Sequence, residues 1–264
     1  MNIIEAMRLR SSVRTYKSEP LGETELQKLR EAIASTYSPF GGDVSIRLGR
    51  FDLEGRQRPG TYGSISGASD YLLMAFGEGR VSALSAGFRM EQAVLAATML
   101  GLGTCWLAGT FNGRDFDRGQ VWPEGERLRI VSPVGYAADR RRIIERVFRK
   151  AAGSDGRKAF SQLFFTDRFR ESLPIDSIFA EPLGMLRIAP SSANSQPWRV
   201  LVHGDEVSFY TRIDRTLSVL DCGIGICHFD ACERFSGHGG EYFRSASPIP
   251  APHGWTYLVS YRRK

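Results

Sequence analysis

The chain has 264 residues, 42% of them apolar and 24% charged, with 35 Lys and Arg against 29 Asp and Glu. That length buries one large core or two intimate lobes, and the composition is that of an ordinary globular protein. The formal charge of +6 is diffuse and nearly all arginine. It suits a small anionic ligand as readily as nucleic acid, and without an interleaved basic and aromatic stripe nucleic acid is set aside.

Residues 1–10 carry Glu5, Arg8 and Arg10 and no apolar core, so no signal peptide is expected. The most apolar window, AVLAATMLGLGTCWLAG at 93–109, is short and broken by glycine. It suits a buried helix followed by a loop better than a membrane span, and the expected location is the cytoplasm. Cys105, Cys222, Cys227 and Cys232 are too few for a disulfide framework. On a helix Cys222, Cys227 and Cys232 would point three ways, and no CxxC pair begins a zinc site, so buried thiols and no metal are expected.

In chain order, NIIEAMRLRSSVRTY opens with Asn2 as an N-cap and repeats Ile3, Ile4 and Met7 at helical spacing. Leu26, Leu29 and Ile33 predict a second amphipathic helix in ETELQKLREAIAS. Strands are expected in VSIRLGRF and DYLLMAFGE, then a central helix over 81–100 that is apolar on most sides, then a strand in LRIVSPVGY. A charged segment at 140–146 and a linker at 151–156 follow. Three more strands are expected in WRVLV, VSFYTR and WTYLVSY, the first two joined through a His203-Gly204-Asp205 turn.

A faint repeat crosses this order. Shifted by 136 residues, GFRMEQAVLAATMLGLGTCW falls on GIGICHFDACERFSGHGGEY, matching Gly87, Gly101, Gly103 and Trp106 with Gly223, Gly237, Gly239 and Tyr242. SPFGGDVSIRL (38–48) similarly looks like a worn copy of APSSANSQPWRVLV (189–202). Each half would run helix, polar loop, strand, long helix, glycine turn.

Two basic groups carry chemistry. RSSVR places Arg10, Ser11, Ser12 and Arg14 at a helix end, where guanidinium forks and hydroxyls suit a phosphate monoester. Arg157 and Lys158 stand just before a second apolar run.

Together RSSVRTY, APSSANSQPWRVLV, GLGTCWLAG, SPVGY and RKAFSQLFF resemble the FMN-dependent nitroreductase family, over most of the chain and most closely in its fused, single-chain branch. The resemblance implies an α+β nitroreductase-like fold, a central and mostly antiparallel sheet flanked by helices, in two pseudo-repeated halves. Residues 1–160 would form the first half, and 161–264 a degenerate second half that completes the flavin site. It implies that Arg10, Ser11, Ser12 and Arg14 hold the flavin phosphate, approached also by Arg157 and Lys158. The turn Trp106, Leu107, Ala108 and Gly109 would lie along the isoalloxazine, with Ala108 where the family often carries an acid. Pro190, Ser191, Ser192 and Asn194 would supply the loop that ordinarily comes from the opposite subunit.

The implied activity is electron transfer from NADH or NADPH through FMN to a nitroaromatic, quinone or similar small-molecule acceptor, with no catalytic side chain and no metal. The alternative is a flavin-binding storage or sensing protein without turnover. A monomer acting as a pseudo-dimer is expected, a homodimer being the other possibility, with neither nucleic acid nor membrane as partner.

Overall fold

The computed structural model describes residues 1–52, 59–138 and 156–264; the charged segment at 140–146 and nearly all of the 151–156 linker lie outside these. The first helix, α1 (Ile3–Leu9), starts where Asn2 predicted. Asn2 Oδ1 accepts from Glu5 N at 2.9 Å and Glu5 Oε2 accepts from Asn2 N at 3.0 Å, a reciprocal cap that satisfies two otherwise orphaned donors. After α2 (Glu23–Ser35) come β1 (Val44–Arg50), β2 (Asp70–Phe76), the central α3 (Arg80–Met99) and β3 (Gly103–Thr104). A short α4 (Gly113–Asp117) then leads to β4 (Arg127–Gly135).

The rest of the chain forms β5 (Phe164–Thr166), α5 (Ala180–Ile188), β6 (Trp198–His203), β7 (Glu206–Thr211), α6 (Thr216–Phe235), β8 (Gly240–Phe243) and β9 (Thr256–Arg263). All six strands expected from the sequence are present, and the antiparallel character holds. Among the described residues they fall into two sheets, ordered β1-β2-β4-β3 and β5-β6-β7-β9-β8, in which only the β5–β6 strand pair is parallel. Leaving β5 aside, both sheets have the same order. The strands not foreseen, β3, β5 and β8, are two to four residues long, too short to show a period of two. Helix α5 was not foreseen because Pro182 and Gly184 interrupt its helical signal; Pro182 stands in the first turn, where a missing N–H costs nothing.

The chemical reason for the two long apolar helices is their mutual burial. Helices α3 and α6 pack against each other at the centre, and one continuous core takes Leu72, Phe76 and Phe88 from one side and Val200, Phe209 and Tyr261 from the other. Their crossing is backbone on backbone. A Cβ on Gly87 would fall inside the contact shell of the Leu220 carbonyl and 3.0 Å from Ile224 N; a Cβ on Gly223 would do the same to the Leu84 carbonyl, 3.0 Å from Phe88 N. Every pair in this contact (84 and 220, 87 and 223, 88 and 224) is related by the 136-residue shift seen in the sequence.

Because both obstructing groups are backbone, neither can swing aside. Gly87→Ala or Gly223→Ala is expected to destabilise the chain by about 3 kcal/mol, the upper range for overpacking. Gly184→Ala on α5, where a Cβ would meet nothing within 4 Å, should instead add roughly 0.5–1 kcal/mol through helix propensity. Urea unfolding of the three variants checks this; equal effects would contradict the close crossing.

Candidate functional site

The first predicted segment begins where α1 stops. Arg10 leaves helical geometry at φ −51° and ψ 124°, and the chain beyond it makes isolated β-bridges at Ser12, Thr15 and Tyr16. Ser12 bridges Thr104 in parallel fashion, and Val13 N donates to the Thr104 carbonyl at 2.9 Å. Gly103 makes this approach possible, since a Cβ there would meet Val13 Cγ2 at 2.8 Å. The 105–109 turn follows directly: Cys105 N donates to Ser132 Oγ at 3.2 Å, and Leu107 exchanges backbone bonds of 2.9 and 3.1 Å with Val131. Leu107 is buried, Trp106 partly buried, and Ala108 and Gly109 exposed. The structure thus brings the Arg10–Arg14 segment and the Trp106–Gly109 turn to one edge of the first sheet.

Arg10, Ser11, Ser12 and Arg14 are all partly buried. Among the described residues, Arg10 Nε and Nη1 are buried with no hydrogen-bond partner. Guanidinium N–H groups left without acceptors are costly, and an anion with several oxygens meets that need. This fits a phosphate.

The second cluster is built around the 190–196 loop. Ala193, Asn194 and Gln196 all have φ near +50°, a conformation that costs non-glycine residues energy unless neighbours enforce it. The enforcement is a hydrogen-bond lattice. Gln196, 2% exposed, receives Lys158 N on its Oε1 at 2.9 Å and donates from Nε2 to the Asn194 carbonyl at 3.1 Å. Gln196 N donates to Ser191 Oγ at 3.0 Å, and Asn194 N to the Ser191 carbonyl at 2.9 Å. Arg157 donates to Asn194 Oδ1 and, at 2.8 Å, to the Ile188 carbonyl, while Lys158 Nζ donates to the Ser195 carbonyl. Pro190 and Ser191 are partly buried and Ser192 is exposed. Arg157 and Lys158 therefore stand on the predicted loop and fasten it.

That region is strongly positive. Burial, then Arg199 and Arg212, push the Lys158 ammonium down; burial and Arg212 lower Arg199 to about 10. Arg199, which the sequence reading passed over, is 4% exposed and donates to the Gln196 carbonyl at 3.1 Å.

Each polar loop is fastened to a central helix at positions 136 apart. Ser192 N donates to both carboxylate oxygens of Asp221 on α6, at 3.1 and 3.0 Å. On α3, Ser85 Oγ lies 2.8 Å from Ser38 Oγ and donates to the Gly41 carbonyl. The two clusters are linked through helix packing: α1, which leads into Arg10, packs on α3, α5 and α6, and α5 runs directly into the 190–196 loop.

Two residues at this junction were missed by sequence reasoning. Trp106 Nε1 donates to Glu91 Oε2 at 2.9 Å, Glu91 Oε1 lies 2.9 Å from His228 Nε2, and His228 Nδ1 meets the Met185 carbonyl at 3.1 Å. A glutamate inside an apolar helix window was the available signal. All four cysteines are buried, and no three His, Cys, Asp or Glu side chains gather as a metal site among the described residues. A cleft of about 290 Å³ opens elsewhere, beside Gly79, Arg80, Asp214, Thr216 and Val219 at the starts of the two central helices.

Two largely antiparallel sheets around a buried helix pair, with a basic helix end set beside a glycine turn, define an α+β protein of nitroreductase type. Residues 2–232 match the family described as "Putative TM nitroreductase", and the chain belongs to that family. The crystal structure of a "putative nitroreductase" from Thermotoga maritima MSB8 is similar over 100% of this chain and 93% of its own, with a TM-score of 0.63 and 19% identity. Shorter matches include a nitroreductase with bound FMN from Bacteroides fragilis NCTC 9343, at TM-score 0.43 and 16% identity over 54% of this chain and 92% of its own. Another is an FMN-dependent nitroreductase from Clostridium difficile R20291, at TM-score 0.42 and 18% identity over 53% and 90%. No match is found among the curated proteins. Among the described residues no helix is long and apolar enough to cross a membrane.

Burial pushes the Asp221 carboxyl from 3.8 up to about 7, against the opposing bonds from Ser192 and Ser195. A raised acid favours the folded state in its protonated form, so its contribution is complete below about pH 4 and is lost as pH rises through about 7. Thermal unfolding should show stability falling across that window, and Asp221→Asn should flatten the slope. An unchanged slope in the variant would contradict the assignment.

Proposed function

We propose that the chain is an FMN-dependent oxidoreductase that takes electrons from NADH or NADPH and delivers them to a nitroaromatic, quinone or similar electron-poor acceptor. The observation that carries this is the Arg10 guanidinium, with two buried nitrogens lacking acceptors among the described residues beside the Ser12–Thr104 bridge, in a chain of the nitroreductase family. When bound, FMN supplies the redox chemistry. The residues of the chain bind and orient it: Arg10, Ser11, Ser12 and Arg14 at the phosphate, and Trp106, Leu107, Ala108 and Gly109 along the ring. Pro190, Ser191, Ser192 and Asn194 close the site, with Arg157 and Lys158 holding that loop and adding positive potential for the phosphate.

The site is further proposed to lie between two halves of one pseudo-dimer, residues 1–160 and 161–264. Support comes from the repeated strand order, the shared crossing at Gly87 and Gly223, and the matched anchors Ser85 and Asp221. The halves are unequal. Tyr242, the counterpart of Trp106, stacks edge-on against Phe40 of the 38–43 loop at 5.3 Å, and both rings contact Phe88. Aromatic side chains thus fill the related position, which favours a single flavin site per chain.

Phosphate recognition is testable by titration. FMN should bind more tightly than riboflavin, and Arg10→Ala should weaken FMN binding about 10- to 100-fold, the worth of a charge-assisted hydrogen bond. Riboflavin affinity should stay the same. Equal affinities for the two flavins in the unaltered protein would overturn the phosphate role. Bleaching of bound flavin by NADH or NADPH, then reoxidation by a quinone or nitroaromatic, separates an oxidoreductase from a flavin-storage or sensing protein.

A further inference from the structure

We infer that Glu91 and His228 are positioning residues that set the orientation of Trp106 at the flavin turn, so that the redox site is coupled to the seam between the two central helices. The inference rests on the flavin reading above. Both side chains are 0% exposed, and they lie on different helices, Glu91 on α3 and His228 on α6.

The hydrogen-bond chemistry is restrictive. The Met185 carbonyl can only accept, so His228 Nδ1 must carry a hydrogen across the 3.1 Å contact. His228 Nε2 and Glu91 Oε1, 2.9 Å apart, then share one proton, whichever atom holds it, and the pair carries no net charge. The remaining carboxylate oxygen, Oε2, is taken by the Trp106 indole N–H at 2.9 Å. Every polar atom of the pair is thereby satisfied inside the core, which is the condition for keeping such groups there.

The turn itself shows why this matters. Its backbone is held on both sides of Trp106, by Cys105 N on Ser132 and by the Leu107–Val131 pair, which leaves the indole as its adjustable part. The indole is fixed by α3 through Glu91, by α6 through His228, and by α5 through Met185. Helix α5 is the element that leads into the 190–196 loop, so one chain of hydrogen bonds spans the turn on one side of the proposed site and the root of the loop on the other.

The experiment uses the full chain with two readouts. Without added flavin, the indole N–H resonance of Trp106, assigned by its loss in Trp106→Phe, reports the bond to Glu91. With FMN bound, the visible absorption bands and reduction potential report the ring environment. Glu91→Gln should preserve both, because the amide oxygen can accept from the indole while its N–H₂ donates to neutral His228 Nε2. Glu91→Ala should shift the indole resonance, remove its exchange protection, move the flavin bands and lower kcat by about 100-fold, the scale of an ångström misplacement.

A folded Glu91→Ala protein with an unmoved indole, or with a moved indole and unchanged flavin bands and potential, overturns the inference. So does a Glu91→Gln protein as impaired as Glu91→Ala. If Glu91→Ala fails to fold, Trp106→Phe decides, since it leaves the Glu91–His228 pair in place: altered flavin bands and potential support the role, unaltered ones overturn it. Absence of FMN binding in the unaltered protein overturns the flavin reading and this inference with it, and is recognised as such because the indole resonance is still hydrogen-bonded.

Discussion

The close crossing of α3 and α6 at Gly87 and Gly223 is the constraint on which the rest of the molecule depends. Each glycine lies against a backbone carbonyl of the other helix, so the helix axes come nearer than any side chain would permit. Dispersion contacts and burial along two 20-residue apolar helices are gained only at that separation. The same separation lets Glu91, about one turn beyond Gly87, reach His228, just over one turn beyond Gly223. A wider crossing would leave two buried polar groups apart, each with its full desolvation cost.

From that pair of helices the polar loops are hung. Ser85 holds the 38–43 loop with neutral hydroxyl bonds, whereas Asp221 holds the 190–196 loop with a carboxylate raised by its own burial. The difference follows from what each loop does. The first is closed by rings, Phe40 against Tyr242 and Phe88, and needs only packing. The second holds three residues in left-handed backbone geometry and surrounds itself with Arg157, Lys158 and Arg199, an arrangement that requires strong acceptors to hold the chain in place. Asp221 and the loop carbonyls supply them.

Much of this was legible in the residues. Branched and aromatic runs marked β1, β2, β4, β6, β7 and β9, and Asn2 with Glu5 marked the start of α1, because these features act through neighbouring residues. The glycines that open GFRMEQ and GIGIC could be aligned as a repeat, yet nothing in the alignment said that Gly87 and Gly223 touch. The short strands and α5 carried too few residues for any periodicity, and Pro182 concealed a helix start that tolerates it. Glu91 looked like a charge in an apolar window until His228, 137 positions away, stood beside it.

By itself, then, the amino-acid sequence determined the local elements, the two basic groups, the polar loop and the family to which they belong, since each depends on side-chain chemistry repeated over a few residues. Only the tertiary structure decided that the strands divide into two sheets of like order, that Arg157 and Lys158 fasten the 190–196 loop, and that Arg10 keeps buried donors without acceptors among the described residues. It also decided that Trp106 is tied through Glu91 to His228. Those outcomes hinge on which backbones approach most closely and which buried polar atoms find partners, and both are settled by contacts between residues far apart in the chain.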